Sequence, residues 1–303
     1  MLLGFRMRKA ALALVLLSVL FCILVTSCNG ATAWAGGTIT IEADGSVNPA
    51  SAPVLRDGDL YTLTANINGS VAVRKNNIIV DGNGRTLLGA KVGYGFDLSG
   101  VTNVTVKNAV LRGFSYGVYA NSSHGNRITG NTFTENVWDG IWLRDSQNNT
   151  VDMNLLANNY GGIAVFDSTG NEILKNTISL SGNVGIEMYR SSNNTIWGNS
   201  MIGNTYQVHS TASTNMWDMG YPTGGNYWSD YTGTDGNGDG IGDTAYLIDF
   251  SNQDRYPLMN ADVIPEFPVL LFTSVLMVAA TLATLTYKRK QTQKQDLSFI
   301  RGY

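Results

Sequence analysis

Asp235, Asn237 and Asp239 place side-chain oxygens at alternate positions of a short run that continues through Gly240 and the Ile241 carbonyl to Asp243. Hard cations take oxygen ligands at that alternation, and a glycine in sixth place allows the sharp turn such a loop needs. The loop is expected to hold calcium in a structural role. Its twelfth position is Tyr246 instead of a bidentate Glu, so it is not an EF-hand, and a Gly/Asp-rich turn with solvated carboxylates is the competing expectation. A second set, Tyr119, Trp142, Arg144, Phe166, Glu187 and Tyr189, interleaves aromatic and polar groups. Sugar rings stack their C–H faces on aromatic rings and need donors and acceptors for their hydroxyls, which makes these residues candidates for ligand binding. Ordinary packing between neighbouring strands also favours exposed aromatics. A third set, Asp145, Asp167 and Glu187, holds the weak catalytic candidates. Glycoside hydrolysis needs two carboxyls about 5–9 Å apart, and Arg144 or Arg190 would serve a lyase. There is no nucleophile elbow, zinc motif or phosphate loop, so the reading leans towards binding and leaves catalysis open.

These residues are positioned by a repeat. Gly117-Val118, Gly140-Ile141, Gly162-Ile163 and Gly185-Ile186 recur at steps of 23, 22 and 23 residues. Asn108, Asn131, Asn154, Asn176 and Asn199 recur at 23, 23, 22 and 23. Val110, Phe133, Leu156, Ile178 and Met201 follow two residues after each Asn, and Ile128, Val151, Ile173 and Ile196 precede the later ones by three. Apolar residues alternate as in half-buried strands, while Asn, Gly, Ser and Thr supply turns. A period this short means stacked units, and two or three short strands per unit predict one coil of a parallel β-helix. Coils about 4.8 Å apart, seven or eight of them, make a rod of roughly 35–40 Å. The Asn series is expected to stack as an amide ladder. The Gly series is expected where a Cβ would clash or φ must be positive. With Ile141 and Leu143 inward, Trp142 and Arg144 face out. The same register puts Tyr119, Phe166, Glu187, Tyr189 and His209 on an outward strip, with Asp145, Asp167 and Arg190 just past it.

Only 14% of the 303 residues are charged and the net charge is −3, so no basic field favours nucleic acid. The two cysteines, Cys22 and Cys28, leave the repeats without a disulfide. Residues 1–35 read as a signal peptide: Arg6, Arg8 and Lys9, an apolar stretch, then small residues. An uncleaved anchor is the alternative, as is lipidation of Cys28, because Val25-Thr26-Ser27-Cys28 resembles a lipobox. Residues 269–287 carry no charge and are long enough to span about 30 Å of hydrocarbon. Lys288-Arg289-Lys290 follows, which places the C-terminus inside and the repeats outside. Ile264-Pro265-Glu266-Phe267-Pro268 resembles the Pro-Glu-Phe tail signal of archaeal surface proteins, where a sorting enzyme would cut. Asn68, Asn103, Asn121, Asn148 and Asn193 begin glycosylation sequons.

The end of the repeat region carries a resemblance. Asn226-Tyr227-Trp228-Ser229-Asp230-Tyr231, Asp239-Gly240-Ile241-Gly242-Asp243-Thr244-Ala245-Tyr246 and Asp254-Arg255-Tyr256-Pro257-Leu258-Met259 are similar to the C-terminal signature of the NosD-like β-helix proteins. Thr-Ala-Tyr stands where that signature has Thr-Pro-Tyr. The resemblance covers roughly residues 55–260. It implies a right-handed parallel β-helix with repeats of a kind found in carbohydrate-binding proteins and sugar hydrolases. The founding member is a periplasmic protein involved in copper maturation of nitrous oxide reductase. Copper carriers cluster His, Met or Cys. Here His124 and His209 fall on different coils, and Met216 and Met219 near His209 form the one grouping to name, so copper is not expected.

The expectation is an all-β protein: a signal peptide (1–35), a right-handed parallel β-helix of 22–23-residue coils (36–210), a C-terminal cap with the Asp/Gly loop (211–263), a transmembrane anchor (264–290) and a cytoplasmic tail (291–303), with hydrophobic helices at both ends. It would sit on the extracellular face of the membrane and bind polysaccharide or another envelope component. A polysaccharide lyase or hydrolase, and a copper-handling accessory, are the alternatives.

Overall fold

The structure is a computed structural model and describes residues 33–261. All but residues 33–35 of the expected signal peptide (1–35), together with Cys28, the Pro-Glu-Phe segment and the expected 269–287 span, lies outside the described residues. Among the described residues no helix is long and apolar enough to cross a membrane.

The chain forms a parallel β-solenoid of the right-handed type with about 7 turns. Each regular coil contributes three strands to three faces. The long face stacks Tyr94–Asp97, Tyr116–Asn121, Asp139–Arg144, Gly161–Phe166, Val184–Tyr189 and Tyr206–Thr211. The second face stacks Val104–Lys107, Arg127–Thr129, Thr150–Asp152, Glu172–Leu174 and Thr195–Trp197. The third stacks Val110–Arg112, Thr132–Thr134, Leu155–Ala157, Thr177–Ser179 and Ser200–Ile202, then Tyr227–Trp228. At the N-terminal end Ile67–Val73 joins two faces, pairing Ile67 with Leu87 and Val71 with Phe96. The first strand, Trp34–Ile41, runs parallel to it.

Pairing is in register, so like side chains stack. Val118, Ile141, Ile163, Ile186 and Val208 form one inward column, and Val106, Ile128, Val151, Ile173 and Ile196 another. The third is Leu111, Phe133, Leu156, Ile178, Met201 and Trp228. Nearly all of these are fully buried and belong to one core. The first coil departs from the expected phase. Asn108 is exposed at φ 56°, and its neighbour Ala109 occupies the inward corner, so the core residue there is Leu111 and not Val110.

Polar columns hold the corners. Asn131, Asn154, Asn176, Asn199 and Asn226 each accept the backbone N–H of the residue one coil below at 2.9–3.1 Å, starting from Ala109. Their Nδ2 groups donate onward to the next Oδ1, and to carbonyls such as Ile128 O from Asn154 at 2.8 Å. A second column runs through Asn126, Asn149, Asn171, Asn194 and Asn215. Asn136 and Asn159 begin a third. Ser123, Ser146, Ser168, Ser191 and Ser213 make a hydroxyl column. The residue before each column member is left-handed: Ser122, Asp145, Asp167, Arg190 and Ala212 hold φ between 47 and 52°. Even Met153, Lys175 and Leu180 accept φ of 53–54°, a conformation that costs a side-chain-bearing residue about 1–2 kcal/mol. The sequon residues Asn103, Asn148 and Asn193 are such exposed corner residues.

The Gly series answers to close approach. A Cβ on Gly117 or Gly162 would lie 2.6 and 2.3 Å from the carbonyl oxygen of the Gly one coil above, and neither glycine has positive φ. Replacing Asn154 with Ala strips the acceptor from the Asn131 N–H and Nδ2 and the donor from Ile128 O. Buried polar groups left unpaired cost about 1–3 kcal/mol each, so a loss of roughly 3 kcal/mol is expected in urea unfolding. A midpoint within error of the parent contradicts the ladder's role.

Candidate functional site

The outward residues of the long face fall in two columns. Asp97, Tyr119, Trp142, Ala164, Glu187 and His209 form one; Asn121, Arg144, Phe166, Tyr189 and Thr211 form the other. The rings knit the two together. Tyr119 stacks on Tyr94 at 4.2 Å and Trp142 on Phe166 at 4.5 Å, while Phe166 meets Tyr189 at 5.4 Å. Tyr116 packs edge-on against Trp142 at 5.1 Å. Six rings, Tyr94 to Tyr189, thus run up the face as one partly exposed band.

Asp145 and Asp167 are not brought to Glu187. They are left-handed corner residues, ion-paired with Arg144 at 3.4 Å and Arg190 at 2.7 Å. Their column is that of Arg190, three residues along the strand from Glu187, roughly 10 Å at strand rise. Arg144 and Arg190 are thereby occupied.

Glu187 faces a different carboxylate, Asp139, across a cleft of about 370 Å³ lined also by Tyr116, Trp138, Trp142, Tyr160 and Asn183. The cleft has a chain-level cause. The corner into the long face takes three residues from Asn136 to Asp139 and three from Ser181 to Val184, but two from Asn159 to Gly161. The short middle corner leaves a recess between Trp138 below and Asn183 above. Small residues deepen it: a Cβ on Gly161 would lie 1.9 Å from Asp139 Oδ1, and the outward position between Trp142 and Glu187 is Ala164.

Asp139 is 7% exposed, and no described residue donates a hydrogen bond to its carboxylate. Burial, with a contribution from the Glu187 charge, pushes it from the ordinary 3.8 up to about 7. Trp142, which also lines the cleft, has a buried Nε1 without an acceptor. A carboxyl with no donor, in a cleft walled by aromatic rings, is what a binding site for a polar ligand requires. Asp139, Trp138, Tyr160 and Tyr116 were not singled out by the sequence. Asp139 shares the parity of the inward Ile141 and Leu143, where a carboxylate is anomalous, and that was the available clue.

In the Asp/Gly loop, Asp235 accepts the N–H groups of Gly238, Asp239 and Gly240, and Asp243 accepts that of Gly236 at 2.8 Å. Asp239 accepts Ile241 N–H and the Asn237 amide. Among the described residues no three His, Cys, Asp or Glu side chains group to hold a metal ion. The segment around this loop receives the ends of the ladders. Asp254 takes Asn226 N–H at 2.6 Å and Trp228 Nε1–H at 2.9 Å, and Asn252 takes Asn215 N–H and Trp217 Nε1–H.

Residues 36–233 match the family model described as periplasmic copper-binding protein (NosD). The probable ABC transporter binding protein NosD of Stutzerimonas stutzeri is 40% identical over 116 residues, 31% of this chain and 26% of that protein. The protein of the same name in Pseudomonas aeruginosa is 49% identical over 49 residues, 16% of this chain and 11% of that one. The matched stretch thus spans about a quarter of the first relative's length. Among solved structures, a mutant of the periplasmic alginate epimerase AlgG aligns with TM-score 0.36 and 14% identity, covering 60% of this chain and 67% of that one. Among the described residues, the histidines and the methionine nearest to them in sequence lie on different faces. His209 is on the long face beside Tyr206, Met216 bridges to Thr195 on the second face, and His124 sits at a corner accepting Gln147 N–H.

Asp139 holds its proton more tightly folded than unfolded. Its ionisation therefore lowers stability progressively as pH rises from about 4 to about 7, and the penalty is constant above that. Asp139→Asn is expected to be more stable than the parent at pH 8 by about 2 kcal/mol, below the ceiling of roughly 4 that the pKa difference sets, with the gap closing towards pH 4. Melting curves across that range check it; a gap independent of pH contradicts it.

Proposed function

The chain belongs to the NosD family, and on that footing we propose that it binds polysaccharide of the cell envelope along the aromatic band of its long face. The observation that carries this is the band's union with the cleft. Trp142 stacks in the band and lines the recess, so one continuous surface offers ring faces and the unpaired Asp139 carboxyl. Tyr119, Trp142, Phe166 and Tyr189 supply the platforms, with Glu187 and Arg144 at their edges. The export signal and the 269–287 span would display this surface outside the cell, held to the membrane. In a glycan-array screen of the full chain, Trp142→Ala and Tyr189→Ala are each expected to weaken retention by roughly tenfold. Unchanged retention by both variants removes the platform.

A second reading, cleavage of a glycosidic bond, is favoured by one observation. Asp139, which burial raises to about 7, faces Glu187 across the cleft, and two carboxyl groups, one of raised pKa, are the apparatus of glycoside hydrolysis. New reducing ends from incubated polysaccharide, lost in Asp139→Asn, support it; none from the parent protein rejects it.

Calcium at Asp235, Asn237, Asp239, Ile241 and Asp243 is also proposed, as a clamp on the segment that receives the ladders. Excess chelator is then expected to lower the melting temperature by several degrees, and an unchanged value counts against it.

A further inference from the structure

We propose that the Asp139–Glu187 cleft selects a protonated amine, and that the polysaccharide bound along the long face is an amino-sugar polymer with free amino groups. The inference rests on the polysaccharide reading and adds its chemical class.

Charge is the first argument. The cleft holds two carboxylates and no cationic side chain. The nearby guanidinium groups are committed elsewhere, Arg144 to Asp145 and Arg190 to Asp167. No described residue hydrogen-bonds Asp139, although it is buried. A buried carboxylate facing another across a cavity is stabilised by a cation placed between them, and a like-charged ligand is repelled. Uronate polymers are thereby disfavoured at this position.

The walls are the second argument. Trp138, Trp142, Tyr116 and Tyr160 surround the cleft, with Trp138 and Tyr160 edge-to-face at 5.5 Å. Aromatic faces attract ammonium groups, Trp most strongly, and the attraction grows as the cation is desolvated. Trp138 and Tyr160 are 49% and 46% exposed, so their rings are available at the mouth.

The third argument separates an amino sugar from a simple ammonium solute. An amino sugar presents its amine to the carboxylates and a C–H face to the rings. The cleft also opens onto the band through Trp142, so adjoining sugar units would continue over Phe166 and Tyr189.

The test is calorimetric binding to the full chain near neutral pH. The probes are a glucosamine hexasaccharide, its fully N-acetylated counterpart, an oligouronate of equal length, and choline. The glucosamine oligomer is expected to bind about tenfold or more tightly than the acetylated one. That preference is expected to vanish in Asp139→Asn and in Glu187→Gln, with binding of the acetylated oligomer retained. Both substitutions are near-isosteric, and a parent-like melting curve at low pH certifies their folding. Equal binding of the two hexasaccharides overturns the amine selectivity and leaves the polysaccharide reading standing. Preferred binding of the uronate likewise overturns the selectivity. Binding of choline alone overturns the amino-sugar assignment. Failure of every saccharide, with Trp142→Ala indistinguishable from the parent on the array, overturns both readings.

Discussion

The corner amide is the interaction on which the rest of this molecule depends. Each ladder Asn accepts an N–H of the coil below and donates to a carbonyl of that lower coil and to the next amide above. It thereby satisfies backbone groups that a tight corner would otherwise bury unpaired. Because the preceding residue must be left-handed, the corners carry a conformational cost at almost every turn, including at Met153, Lys175 and Leu180. Hydrogen bonds repeated from coil to coil offset that cost, and the apolar columns between them fill the core. The ladders do not run out into solvent: Asp254 and Asn252 receive their last donors.

A stack held this rigidly in register turns small changes of length into surface shape. One residue fewer between Asn159 and Gly161 is absorbed at the corner, because the ladder and the inward Ile column on either side stay in phase. The missing length appears outside as the recess under Asn183. Gly161 and Ala164 keep it open, and Asp139 and Glu187, two coils apart, come to face each other over them. The site is therefore built where corner length alternates, two residues from Asn159 to Gly161 and from Asn204 to Tyr206 against three from Asn136 to Asp139 and from Ser181 to Val184.

How much of this could be read from the chain follows from that distinction. The coil period, the second-face column of Ile128, Val151, Ile173 and Ile196, and the outward facing of Trp142, Glu187 and Tyr189 were legible, because alternation and period are properties of side-chain type. The phase of the first coil was not. Asn favours both the left-handed corner and the ladder position next to it, so Asn108 looked like a ladder member when Ala109 holds that place. The Ser column from Ser123 to Ser213 has the same period but was hidden among surface serines. The cleft was illegible for another reason. It depends on a one-residue difference in corner length, and on a carboxylate at the parity of core residues, which periodic reading smooths away. The family match covers residues 36–233 and agrees with the solenoid.

The account's central claim is that in-register stacking brings Asp139 and Glu187 together in a desolvated recess. The most direct measurement is the titration of the Asp139 carboxyl by carbon-detected NMR in the parent chain and in Glu187→Gln. The account predicts ionisation at about 7 in the parent, and a lower value in Glu187→Gln that still lies above the ordinary carboxylate range because burial remains. An Asp139 that titrates near 4 and is indifferent to Glu187 would contradict it.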